Sequence, residues 1–208
     1  MIATAGSLPW YVARSAGWVA WLLLAASVGW GLALSSRLVR RRGAPAWLLA
    51  SHRFLGLLTM VFVGVHLVGL WFDSYVAFDL GQLLVPMRST YRPLAVAWGI
   101  VALYLLVAVE LTSLFMRHIP RRWWHRIHLG SFLLLASATL HAFTSGTDRS
   151  NVFGRWTALV VSAILIFLVT FRLLAERRAQ RDDLAAARRA RAAAEAGSDD
   201  VPQKVEPA

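Results

Sequence analysis

Five apolar runs shape this chain, at about Ala16–Leu34, Trp47–Phe72, Leu94–Phe115, Ile127–Phe143 and Trp156–Phe171. Each is long enough to cross about 30 Å of hydrocarbon at about 1.5 Å per helical residue, and the last two are the shortest. Proline punctuates them: Pro45 precedes the second run, Pro93 opens the third where its missing N–H costs nothing, and Pro120 stops the third from continuing. With 58% hydrophobic residues and a mean hydropathy of +0.55 over 208 residues, the chain is too apolar for one soluble domain. The expected fold is an all-α integral membrane protein, a bundle of about five transmembrane helices with a charged helical tail.

The net charge of +11 falls between the runs rather than in them. Arg37, Arg40, Arg41 and Arg42 follow the first run, Arg117, Arg121, Arg122 and Arg126 follow the third, and Arg172, Arg177, Arg178 and Arg181 follow the fifth. The remaining connections mix signs, with Asp73, Asp79, Arg88 and Arg92 in one and Asp148, Arg149 and Arg155 in the other. The excess of arginine in cytoplasmic loops then predicts an external N-terminus and a cytoplasmic C-terminus in a cell membrane. Five spans satisfy every connection at once. Arginines placed beside apolar runs speak for lipid headgroups and against nucleic acid. The opening "MIATAGSLPWYVARSAG" carries one arginine, and the basic cluster follows the apolar run as a stop signal, so the first run reads as a retained span rather than a cleaved signal peptide. The organisation expected is an external N-terminus over 1–15, a membrane domain over 16–171, and a cytoplasmic extension over 172–208 that is helical to about Ala196 and then disordered. That tail could rest a basic face on anionic lipid.

Inside the runs lie four histidines in two pairs: His52 and His66, fourteen residues apart, and His128 and His141, thirteen apart. Imidazoles at bilayer depth are rare and mark function. The second and fourth spans both start at the cytoplasmic face, so His52 should meet His128 on that side and His66 should meet His141 nearer the outside. The two levels would stand about 20 Å apart along the axis. Two such pairs can supply both axial ligands of two b-type haems. With no cysteine in the chain there is no thioether attachment and no iron–sulfur cluster, so any haem is held non-covalently.

A spacing of fourteen keeps His52 and His66 on one helix face, whereas thirteen leaves His128 and His141 about 140° out of register on an ideal helix. A tightened turn, a π-bulge or tilt has to correct that. His118 and His125 sit among basic loop residues and are read as interfacial. Gly56, Gly69 and Gly130 lie close after the histidines and either clear space for a porphyrin or let helices approach. Glu110 is the one acidic residue inside a span, read as an interfacial carboxylate paired with Arg53 or Arg117 or, alternatively, as a proton or quinone group.

The runs "SHRFLGLLTMVFVGVH" and "WWHRIHLGSFLLLASATLH", with the following "SGTD", resemble the ferric reductase-like transmembrane domain. That family includes ferric-chelate reductases, the membrane part of NADPH oxidases, and the haem subunit of a periplasmic methionine sulfoxide reductase system. The resemblance covers about Trp10 to Phe171. It implies that His52, His66, His128 and His141 are the axial ligands of two b haems, the first and third for an inner iron and the other two for an outer one. It also implies that electrons pass from the cytoplasm outward. Large reductases of this type continue into a flavin- and nicotinamide-binding module. Here about 35 residues follow the last span and no Gly-rich nucleotide loop occurs, so the expected donor is a separate cytoplasmic flavoprotein reductase or membrane quinol. With histidine on both faces of each iron, an external acceptor or partner protein would react at the haem edge. Arg88, Arg92 and Arg149 are candidate guides for an anionic acceptor or a propionate. No catalytic side chain is assigned. The competing expectations are a quinone-linked cytochrome b and a non-redox metal permease or membrane scaffold.

Overall fold

The computed structural model describes residues 8–35, 46–74, 76–145 and 152–198. Among these the regular secondary structure is helix alone, joined by turns and short irregular segments. The elements are α1 (Leu8–Ser35), α2 (Ala46–Trp71), the short α3 (Leu80–Leu84), α4 (Pro93–Leu114), α5 (Arg121–Leu129), α6 (Ser131–Ser145) and α7 (Val152–Ser198). The arginine cluster Arg37–Arg42, Pro45, the segment with Asp148 and Arg149, and the end of the tail lie outside the described residues. The chain forms two compact units, Met1–Leu165 and Ile166–Ala208.

Four helical segments are long and apolar enough to cross a bilayer: α1, α2, α4, and α5 with α6 as one 25-residue segment. The fifth expected span corresponds to the apolar stretch Leu159–Phe171 within α7. Its 13 residues reach about 20 Å, less than a full hydrocarbon crossing. The first helix begins at Leu8 rather than Ala16, so half of the segment expected to be an external N-terminus is helical. The helix continues through Arg14, and the Ser15 hydroxyl donates within it to the Tyr11 carbonyl at 2.8 Å. The tail is helical to Ser198, two residues beyond the expected Ala196.

Within the first unit, α1 packs along α2, α4 packs along α6, and α1 also meets α6. Small and apolar side chains line these contacts, among them Ala13, Ala16, Ala20, Trp21, Leu24 and Val28 of α1 and Ile100, Leu106 and Val109 of α4. The outward faces are apolar too: Phe54, Leu57, Val61 and Val68 of α2 are exposed. Helices apolar on every side belong in a membrane, where small residues rather than a water-driven core set helix approach.

The helical segment that carries His128 and His141 is interrupted at Gly130. There α5 ends and α6 begins, with Gly130 at φ −59°, ψ −14° and its N–H donating to Ile127 O at 2.9 Å, an i−3 bond that overwinds one turn. One such turn advances the chain by about 60° more than an ideal helix, so it makes up part of the roughly 140° that the thirteen-residue spacing leaves.

The connection from α2 to α4 is compact. Phe78 and Leu83 pack with Val96 and Ile100 of α4, and the Asp79 carboxylate caps α3 by accepting from Gln82 N at 2.7 Å. Asp73, one of the charges of this mixed-sign connection, is 2% exposed and accepts from Val76 N at 3.2 Å.

Candidate functional site

The fold brings the four histidines together in two pairs. The rings of His52 and His128 have centroids 5.9 Å apart with planes at 75°, and those of His66 and His141 lie 6.2 Å apart at 82°. Two imidazole nitrogens, each about 2 Å from one metal ion, lie about 4 Å apart, which puts the ring centres about 6 Å apart. Both pairs meet that requirement. No third His, Asp or Glu joins either pair among the described residues. Each pair therefore offers two imidazole donors to one metal ion.

Each imidazole is also held from behind. His66 Nδ1 lies 2.6 Å from Ala13 O, His141 Nδ1 lies 2.8 Å from Ala95 O, and His52 Nδ1 lies 3.1 Å from Ser27 O and 3.3 Å from Ser27 Oγ. His128 Nδ1 has only a hydroxyl near it, Ser113 Oγ at 3.4 Å, and the ring stacks on Trp124 at 5.0 Å and 21°. An Nδ1–H committed to an oxygen fixes the tautomer and leaves Nε2 as the metal-binding nitrogen, the usual arrangement for a ligating histidine.

The holding groups come from α1 and α4 and were not anticipated from the sequence. Gly17 and Gly31 of α1 face His66 and His52: a Cβ at Gly17 would stand 3.0 Å from His66 Nδ1, and one at Gly31 3.3 Å from His52 Cε1. Gly99 of α4 faces His141, where a Cβ would approach Nδ1 to 2.6 Å. A signal was present: Gly17 and Gly31 are fourteen residues apart, the same interval as His52 and His66.

The glycines singled out from the sequence do other work. Gly69 lets the α1 backbone come close, since its Cβ would meet Ala13 N at 2.9 Å; that approach delivers the Ala13 carbonyl to His66. Gly130 belongs to the tight turn, where a Cβ would meet Ile127 O at 2.8 Å. Gly56 receives the Glu110 carboxyl group. Glu110 therefore packs on α2 one turn after His52, and no ion pair to Arg53 or Arg117 is present among the described residues.

A largely apolar cavity of about 220 Å³ adjoins the His66/His141 pair and is lined by Trp10, Arg14, Trp18, Tyr91 and Ser145 among others. Arg14 is thus the guanidinium at this level. The arginines favoured from the sequence are engaged elsewhere: Arg88 folds over Gly81 beside Asp79, and Arg92 donates to Thr144 O at 2.8 Å at the end of α6. Arg149 lies outside the described residues. His118 and His125 join neither pair; His125 lies against Trp124 at 6.3 Å.

Compared with family models, curated proteins and solved structures, the chain gives no match. The function therefore rests on the residues.

Proposed function

We propose that this protein is a transmembrane di-haem b-type cytochrome that passes electrons from a cytoplasmic donor to an external acceptor. The observation that carries the reading is the double pairing: two facing imidazole pairs at metal-bridging separation, each ring backed by an oxygen at Nδ1. His52 and His128 would hold one haem, His66 and His141 the other, without covalent attachment. Haem supplies reversible one-electron chemistry when bound. The chain's own contribution would be two imidazoles to each haem, which would leave no coordination site open to a small substrate.

The arginine distribution assigns the His52/His128 level to the cytoplasmic side and the His66/His141 level to the outside. The donor we assign is a reduced flavoprotein or membrane quinol, and the acceptor an external small molecule or partner protein. The resemblance of the two histidine runs to ferric reductase-like domains supports the same direction. A metal permease is disfavoured, because no group of three or more His, Asp or Glu side chains converges on one point among the described residues.

Absorption spectra and haem assay of the full chain, purified from cells supplied with haem, test the reading. Two low-spin b haems per chain are expected, falling to one in His66→Ala or His141→Ala. Haem-free wild-type protein, or full retention in single alanine variants of all four histidines, would refute it. A topology reporter after Arg178 should read cytoplasmic and one near Asp79 external; the reverse pattern would invert the direction of transfer.

A further inference from the structure

The two helical hairpins of the first unit repeat one device. On α1, Ala13 offers a carbonyl to a histidine and Gly17, four residues on, clears space for its ring; Ser27 and Gly31 do the same fourteen residues later. On α4, Ala95 and Gly99 form the third such notch. In a helix the carbonyl of residue i already accepts the N–H of residue i+4. A residue without Cβ at i+4 lets a second donor, the imidazole N–H, reach that same oxygen.

Continuing α4 by fourteen residues from Ala95 and Gly99 gives Val109 and Ser113. This is where His128 docks, and here the notch is altered. Ser113 has a side chain where the other three have none, and its hydroxyl at 3.4 Å takes the place of a carbonyl. The Val109 carbonyl is approached instead by the Thr112 hydroxyl at 3.2 Å. His128 is accordingly the most weakly backed of the four, and Trp124 stacks on it in compensation.

We propose that Ser113 is a positioning residue that sets the reduction potential of the His52/His128 level above the value a complete carbonyl notch would give. The inference rests on the two-haem reading. A strong acceptor at Nδ1–H makes the imidazole a more basic ligand, which favours iron(III) and lowers the potential. A long bond to a hydroxyl does so less. The redox event is the uptake of one electron by iron(III) to give iron(II), with both imidazoles retained and no bond broken. The geometry at Ser113 thereby biases the first electron towards the level nearest the arginine-rich loops.

The experiment is a potentiometric titration of the detergent-purified full chain, followed at the haem bands, with dithionite as reductant and ferricyanide as oxidant. Ser113→Gly and Ser113→Ala are compared with the parent, both in the wild-type background and in His66→Ala, which isolates the His52/His128 component. Ser113→Gly recreates the notch and should lower that midpoint. Ser113→Ala removes the hydroxyl that faces Nδ1 while keeping the Cβ and should raise it. Each shift is expected to be about tenfold in the iron(III)/iron(II) equilibrium, or about 59 mV for one electron, with the other component unmoved. Opposite signs from two small residues are not what a merely structural role produces. Unmoved midpoints, shifts of one sign in both variants, or loss of the His52/His128 haem in Ser113→Gly would overturn the inference while leaving two haems in the parent. A parent chain without haem would overturn the underlying reading as well.

Discussion

The hairpin of α1 with α2 and the hairpin of α4 with α5 and α6 perform the same task with different sequences. In each, one helix supplies oxygens and bare backbone and the other supplies two histidines. The first hairpin does this with continuous helices: fourteen residues separate His52 from His66, and fourteen separate Gly17 from Gly31, so both sets hold one face. The second hairpin breaks its histidine helix at Gly130, shortens the interval to thirteen, and loses one glycine to Ser113. Ligand spacing is therefore a property of the helix that carries it: a continuous helix must count in whole turns, and a broken one can take any count its turn corrects.

The largest effect is expected from inserting one alanine between Gly130 and Ser131. The insertion gives the second hairpin the fourteen-residue interval of the first, yet it should fail, because the tight turn remains and His141 is swung by about 100°. Haem content should fall from two to one per chain, with the His52/His128 spectrum retained. Two haems in the inserted protein would mean that Gly130 is not what sets the register.

A smaller but still local effect is expected from filling the notches. Gly99→Val should displace His141, whose Nδ1 already lies within 2.6 Å of where a Cβ would stand, and lower haem occupancy at that level. Gly69→Leu acts one step back: it separates α2 from the Ala13 backbone, weakening the His66 hydrogen bond and destabilising the fold by about 1–3 kcal/mol, the usual cost of overpacking. Thermal unfolding with haem quantification distinguishes the two, since Gly99→Val should lose haem before it loses stability and Gly69→Leu the reverse. Equal losses in both would erase the distinction drawn between ring clearance and helix approach.

Much of this was legible in the sequence and some was not, for identifiable reasons. Hydropathy marks the spans, because a bilayer demands length and apolarity from every crossing segment, and the histidines stand out there because imidazole is so poor a fit to hydrocarbon. The backs of the site are another matter. Ala13, Ser27 and Ala95 act through main-chain carbonyls, which leave no mark on residue type, and their glycines lie on the helix facing each histidine rather than beside it in sequence. Gly56, Gly69 and Gly130 drew attention by adjacency alone. Arg14 falls inside α1, which starts eight residues before the expected span, and the bond that occupies Arg92 joins it to Thr144, distant in sequence. Five residues of α3 are too short to show a period, and α3 was not anticipated.

The smallest effect should come from Glu110, the side chain that joins the two hairpins at the His52/His128 level. Its carboxyl group rests against Gly56, and no ion pair to Arg53 or Arg117 is present among the described residues, so its shape matters there more than its charge. Glu110→Gln keeps the shape and removes the charge. Stability should change by no more than about 0.5 kcal/mol, as for substitutions that break no paired or buried interaction, and both haems should remain. Glu110→Ala leaves Gly56 facing empty space and should cost more than Glu110→Gln, which a thermal unfolding series would reveal. If the glutamine variant instead loses the His52/His128 haem while the alanine variant keeps it, packing is not the role of this residue, and the contrast between a carboxylate-bearing level and the carboxylate-free His66/His141 level becomes a chemical one.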